Sequence, residues 1–200
     1  LNVAQAEKDM SMNMSLGLEL FTSGGIDPNS QPNQYEMFTM DLVQQIDDKT
    51  LTELHRLAAE NNTHAQTVIG LLYTLPNQKG EGRKLSNLVM VPSTKMRNYV
   101  DSFILPVTDL VKRDPEMAVT FLEKAAGQGN TFAETLLAET LMQGELSKSD
   151  YALSRTYFLR AAEKDHLRAQ IGLLQVSAIM GENIDPAMMR KIFGEMTEQE

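Results

Sequence analysis

Three histidines, His55, His64 and His166, are the side chains of this chain best suited to acid–base work or to zinc, and their spacing supports neither. A helix-borne metal site needs ligands at i and i+4, and no two of the three stand four apart. They are expected at the surface or at corners. No Cys is present, which removes thiolate nucleophiles, Cys-ligated zinc and disulfides together. Gly80-Glu81-Gly82 is a lone Gly-x-Gly without the strand and helix of a phosphate cradle, and there is no Gly-x-Ser-x-Gly elbow. Asp47-Asp48 precede a helix start near Thr50, where carboxylates cap free amides and favour the helix dipole. No catalytic residue, cofactor or metal is expected from such a set; an enzyme is the remote alternative.

Binding chemistry is better represented. The net charge is −9 and the pI about 4.9, so the chain as a whole lacks the cationic footprint that nucleic acid or an anionic membrane surface requires. The charge is uneven. Residues 1–60 carry ten acids against three bases, whereas residues 79–113 carry seven bases against three acids. Lys79, Arg83, Lys84, Lys95, Arg97, Lys112 and Arg113 supply the positive side. Two readings stay open: the stretch neutralises the chain's own acidic half, or it meets an acidic partner, with Tyr99 and Val89 as apolar anchors. The Met residues at 10, 12, 14, 37 and 40 are read as packing, with an adaptable binding stripe as the alternative.

The elements that must carry these residues are helical. Hydrophobic residues make up 42% of the chain, with 13 Met, no Trp and 6% aromatics, a composition that favours helices over a β-sandwich. No apolar run is long enough to span a bilayer. Self-comparison then shows a register of 36 residues. Phe121 falls on Tyr157, Leu122 on Phe158, Ala125-Ala126 on Ala161-Ala162, Ala133 on Ala169 and Leu137 on Leu173. A weaker copy lies upstream, where Ala58, Asn62, Ala65, Ile69 and Gly70 match Ala126, Asn130, Ala133, Leu137 and Ala138. Residues 118, 121, 122 and 125 share one helix face, and 133, 137 and 141 share a face of the next. Gly129-Asn130 makes the corner between them. Each helical hairpin leaves a face bare, so stacking on the next one completes the core.

These residues resemble the Sel1-like repeat family, a relative of the tetratricopeptide repeats. Phe121, Lys124, Ala125, Ala126, Gly129, Asn130 and Ala133 match its pattern in one unit, and Tyr157, Phe158, Arg160, Ala161, Ala162, Ala169 and Gln170 in the next. Leu54, Arg56, Ala58, Asn62, Ala65, Gln66, Gly70 and Tyr73 match in the first. Asp165-His166 replaces the usual corner, and the glycine turns at Gly144 and Gly181 are incomplete. The fit covers half to two-thirds of the chain.

The resemblance implies an all-α fold, a short right-handed α-solenoid of antiparallel helical hairpins. Its parts are degenerate helices over 1–47, a repeat over 48–78 and a basic insertion or decayed repeat over 79–113. Repeats follow over 114–149 and 150–185, with a capping helix over 186–200. Short helices are expected near 94–104 and 107–113, between Pro92 and Pro106 and after it, and Met189, Ile192 and Phe193 should dock the last helix. The resemblance also implies a non-catalytic, bacterial protein-binding role. That role is an adaptor or an inhibitor of one partner, including an immunity protein that neutralises an effector, or an adaptor of the cell envelope or a secretion system. A periplasmic or envelope location follows, with the cytoplasm as alternative. First helices of such hairpins line the concave face, which places Val119, Thr120, Glu123, Arg155, Thr156, Leu159 and Lys191 there. With the basic stretch, the partner-binding residues expected are Lys84, Lys95, Arg97, Tyr99, Val119, Glu123, Arg155 and Leu159.

The register itself is testable. Ala126→Leu or Ala162→Leu overpacks a helix contact and should cost about 1–3 kcal/mol, whereas Glu123→Leu should do little. Thermal unfolding of the three variants measures the difference, and an unchanged melting temperature for Ala162→Leu rules out the register.

Overall fold

Five helix starts in this chain are written locally by a side-chain acceptor three residues ahead of an orphan amide. Asp47 Oδ1 accepts from Thr50 N at 2.7 Å, Asn62 Oδ1 from Ala65 N at 3.0 Å, Asn130 Oδ1 from Ala133 N at 3.0 Å and Asp150 Oδ1 from Leu153 N at 2.9 Å. Asp114 Oδ1 accepts from Met117 N at 3.0 Å, ahead of Pro115, whose missing amide is harmless in a first turn. The computed structural model describes residues 18–19, 21, 23, 25–75, 110–143, 150–183, 186–187 and 189–190. Among them are seven helices and no strand: α1 Pro32–Val43, α2 Asp48–Ala59, α3 Thr63–Thr74, α4 Pro115–Gly127, α5 Thr131–Met142, α6 Tyr151–Ala162 and α7 Leu167–Ile179.

The helices α2 to α7 form three hairpins. Each of the three corners turns on one residue with positive φ: Asn61 at 67°, Gly129 at 85° and Asp165 at 59°. The departure of Asp165-His166 from the pattern is thereby explained in part, since Asp tolerates that conformation better than most residues. Within each hairpin the two helices pack together, and α3 packs on α4 and α5 on α6, so the hairpins lie in chain order. The second helices α3, α5 and α7 also touch one another in turn.

Positions matched by the 36-residue register occupy matched environments. Leu122 and Phe158, Ala125 and Ala161, Ala126 and Ala162, Ala133 and Ala169, and Leu137 and Leu173 are all buried. In the first hairpin Leu54, Ala58, Ala65 and Ile69 are buried at the corresponding places. Small residues are needed for the approach of α3 to α4: a Cβ on Gly70 would lie 2.6 Å from the Leu122 side chain. Phe121 fills the space toward the preceding hairpin, stacked on Tyr73 at 6.3 Å with its ring at an angle to His55, 6.0 Å away.

Within residues 1–47, where degenerate helices are expected, most of 27–47 is the helix α1. It packs on α3 and α5 and buries Tyr35, Glu36, Thr39, Met40, Leu42 and Val43. Polar residues in the buried face hide its period from a hydrophobicity pattern. Residues 110–113, where the end of a short helix was expected, are bends and irregular chain. There Arg113 Nε donates to Thr74 O at 3.0 Å and Asp114 N to Tyr73 O at 3.0 Å, which holds the start of α4 against the end of α3. The rest of the basic stretch lies outside the described residues, as do Ile192 and Phe193. Pro186, Ala187, Met189 and Arg190 are helical, with Met189 half-buried.

A polar ladder joins neighbouring hairpins. Gln66 Oε1 accepts from Gln128 Nε2 at 2.7 Å, and one hairpin on, Glu134 Oε2 accepts from Lys164 Nζ at 3.1 Å. Gln170 stands at the same register position, buried, and its Oε1 meets no donor. Gln170 Nε2 does donate to Ala162 O, at a long 3.4 Å, so Gln170→Leu should cost less than the equivalent change at Gln66, which has an accepted bond to lose as well. Gln66→Leu should cost about 1 kcal/mol for the hydrogen bonds it loses. Urea denaturation of both variants distinguishes the two ends of the ladder.

Candidate functional site

The first helices α4 and α6 repeat their outward face as well as their core. Met117 and Leu153 fall in register and are exposed, at 36% and 39%. Thr120 and Thr156, with Thr52 in the first hairpin, each turn the hydroxyl back on the carbonyl four residues earlier, at 2.9, 3.0 and 2.9 Å. Lys124 lies over the Phe121 ring at 5.8 Å and Arg160 over the Tyr157 ring at 5.6 Å. The Arg160 head also pairs with the buried Glu134 carboxylate, Nη2 to Oε1 at 2.6 Å, while Lys124 stays exposed. The face thus carries an apolar, a hydroxyl, an aromatic and a cationic position on each of two successive hairpins.

The partner-binding residues expected on α4 and α6 fall on or beside this face. Glu123, Thr120 and Thr156 are exposed, and Val119, Arg155 and Leu159 are half-buried. Arg155 is partly neutralised, since its Nε lies 2.5 Å from Glu182 Oε2. Lys84, Lys95, Arg97, Tyr99 and Lys191 lie outside the described residues.

A second constellation was missing from the expectations. The helix α1 crosses the N-terminal ends of α3, α5 and α7, where one register position is occupied by His64, Phe132 and Arg168 in turn. Its Glu36 carboxylate accepts from Arg168 Nη1 at 2.8 Å and from His166 Nε2 at 2.8 Å. Arg168 also makes a two-pronged pair with Glu139, at 2.6 and 2.7 Å. His166 Nδ1 meets Thr135 Oγ1 at 2.7 Å. Asn33 Oδ1 accepts from Leu167 N at 3.0 Å and so caps α7, whose own preceding residue His166 offers no cap.

Beside this lock, Tyr35 sits in a fixed hydrogen-bond relay. Asn130 uses Oδ1 to cap α5, so its Nδ2 points to Tyr35 Oη at 3.0 Å. The Tyr35 hydroxyl also meets His64 Nδ1 at 2.9 Å, so one oxygen joins α1 to the corners of two hairpins. The Phe21 ring closes the cluster against Tyr35, Phe38 and His64 at 5.2–5.5 Å. His64 and His166, expected at the surface or at corners, are both buried. His166 does stand at a corner, but α1 covers it.

Electrostatics hold Glu36 and Arg168 as an ion pair. Burial raises the Glu36 carboxyl, but Arg168 and His166 outweigh it and hold it down to about 2. Burial lowers the Arg168 guanidinium, and the Glu139 and Glu36 carboxylates reverse this and raise it. Burial pushes Tyr35 up and His64 down, the latter against a pull from Asp27. Glu36, His166 and Arg168 are 2%, 0% and 3% exposed, so no substrate reaches them as they stand. An open cleft of about 540 Å³ lies at the start of α1, but its Asn29 and Asn33 side chains are tied to Thr131, Lys164, Asp165 and Leu167. Among the described residues no three His, Asp or Glu converge as a metal ion requires, and no helix is long and apolar enough to cross a membrane.

The lock left one trace in the sequence: the register sets charged Arg168 and polar His64 against buried Phe132. No signal joined Arg168 to Glu36. No family model, curated protein or solved structure matches the chain.

Acid should loosen α1. Stability from Glu36 is complete above its ordinary 4.5 and is lost as pH falls toward 2; that from His64 is complete above 6.5 and is lost below it. Glu36→Gln should cost about 3 kcal/mol at pH 7, as breaking a buried ion pair does. It should also flatten the acid dependence below pH 4.5, which urea denaturation across pH reads directly.

Proposed function

We propose that the chain is a non-catalytic protein-binding α-solenoid of Sel1-like hairpins, which engages its partner through the outward face of the first helices. The observation that carries this reading is the repetition of exposed positions. Core positions recur because each hairpin must pack on the next. Packing gives no reason for Met117 and Leu153 to recur where solvent reaches them, whereas Arg160 is held by the buried Glu134 carboxylate. Repeat arrays bind along a surface that every unit extends, and an exposed apolar residue flanked by an aromatic ring and a cation is the chemistry of interface anchors.

An adaptor that holds one protein segment across two or three hairpins fits this face, and an inhibitor that covers an effector fits it equally in chemistry. The basic stretch 79–113 is the competing contact surface, favoured by its charge. The test is binding to a partner recovered by photocross-linking from residues 120 and 156. Thr120→Arg with Thr156→Arg should weaken that binding by about tenfold or more, as loss of a central contact does, without lowering the melting temperature. Lys95→Glu with Arg97→Glu should change chiefly the association rate and its salt dependence. If only the second pair of changes abolishes binding, the basic stretch is the interface; if neither does, the first-helix proposal fails.

A further inference from the structure

We propose that the trough along the N-terminal ends of α3, α5 and α7 is a helix-binding site in its own right. In the resting chain α1 fills it as an intramolecular ligand, and its external ligand is a helix that presents an aromatic hydroxyl followed by a carboxylate. The trough is lined by one register position of three hairpins, His64, Phe132 and Arg168, so it runs along the array as a docking surface for an elongated segment would.

Its contacts with α1 are those of recognition. The Tyr35 hydroxyl is read by His64 Nδ1 and Asn130 Nδ2 at 2.9 and 3.0 Å. The Glu36 carboxylate is read by Arg168 Nη1 and His166 Nε2, both at 2.8 Å. Two cationic or proton-donating groups converge on one carboxylate, which is the complementarity that selects an acidic ligand. Glu139, on α5, holds the far side of Arg168, so the guanidinium bridges two carboxylates and keeps one side for the ligand's. Asn33 adds a cap to α7 and an amide N–H to Asp165 O at 3.1 Å.

The helix α1 itself stands outside the 36-residue register. The hairpins α4–α5 and α6–α7 pack on each other without it. Its outer side is polar apart from Met37 and Phe38.

Two measurements on the full chain test the assignment. In native-state hydrogen exchange followed by mass spectrometry, amides of residues 35–43 should open at least about tenfold more often than those of α5 and α7, because a ligand-like element opens without global unfolding. A labelled peptide of residues 27–46 is then titrated into the wild-type chain and into the Glu36→Gln chain. The wild-type chain should bind it weakly, since its own α1 competes at high effective concentration. The Glu36→Gln chain, whose α1 is weakened, should bind it at least about tenfold more tightly, and a Glu36→Gln peptide should lose that gain. Exchange of α1 in step with α5 and α7 overturns the proposal, whatever the peptide does. So does an α1 that opens locally while the Glu36→Gln chain, still helical by circular dichroism, fails to take up the peptide. Neither outcome bears on the first-helix face, which is separately tested by its own substitutions.

Discussion

Helices of twelve or thirteen residues are marginal alone in water, because the cost of nucleating each one is spread over too few hydrogen bonds. Everything else in this structure follows from that constraint. Each helix is held by burying one face on its hairpin partner and the other on the neighbouring hairpin, which is why α3 and α5 are buried almost all round while α2, α4 and α6 keep a solvated side. Alanine and glycine on the contact faces are what let short helices lie close enough for this. At Gly70 even a single methyl would strike Leu122.

Stacking leaves the N-terminal ends of the second helices with amides and polar side chains to satisfy. In the first two hairpins Asn62 and Asn130 do this within the corner itself. In the third, Asp165-His166 cannot, and α1 supplies the missing acceptor from Asn33 and a counter-charge from Glu36. A buried carboxylate is costly unless it is fully paired, and here it meets Arg168 and His166 together. The lock therefore fixes where α1 lies more sharply than apolar contact alone would, since a shift of the helix would strand charges in a dry site.

The same division of labour shapes the functional reading. Second helices are committed to packing and to the trough. First helices, anchored on one side, present side chains outward, and Met117 and Leu153 do so at equivalent places.

The sequence by itself determined the helices, the hairpins and their corners. These depend on neighbours within a few residues: Asp47 capping Thr50, Asn130 capping Ala133, Gly129 turning the chain. Contacts between hairpins were legible too, because the 36-residue register carries the same small and large residues into the same places. What only the tertiary structure decided is where α1 lies and the lock that holds it there. Glu36 and Arg168 stand 132 residues apart, and no local periodicity records a partner at that distance. The mismatch of His64, Phe132 and Arg168 in one register position marked the place, but the helix laid over it was visible only once the chain had folded. The burial of His64 and His166 was hidden for the same reason: their neighbours come from another part of the chain.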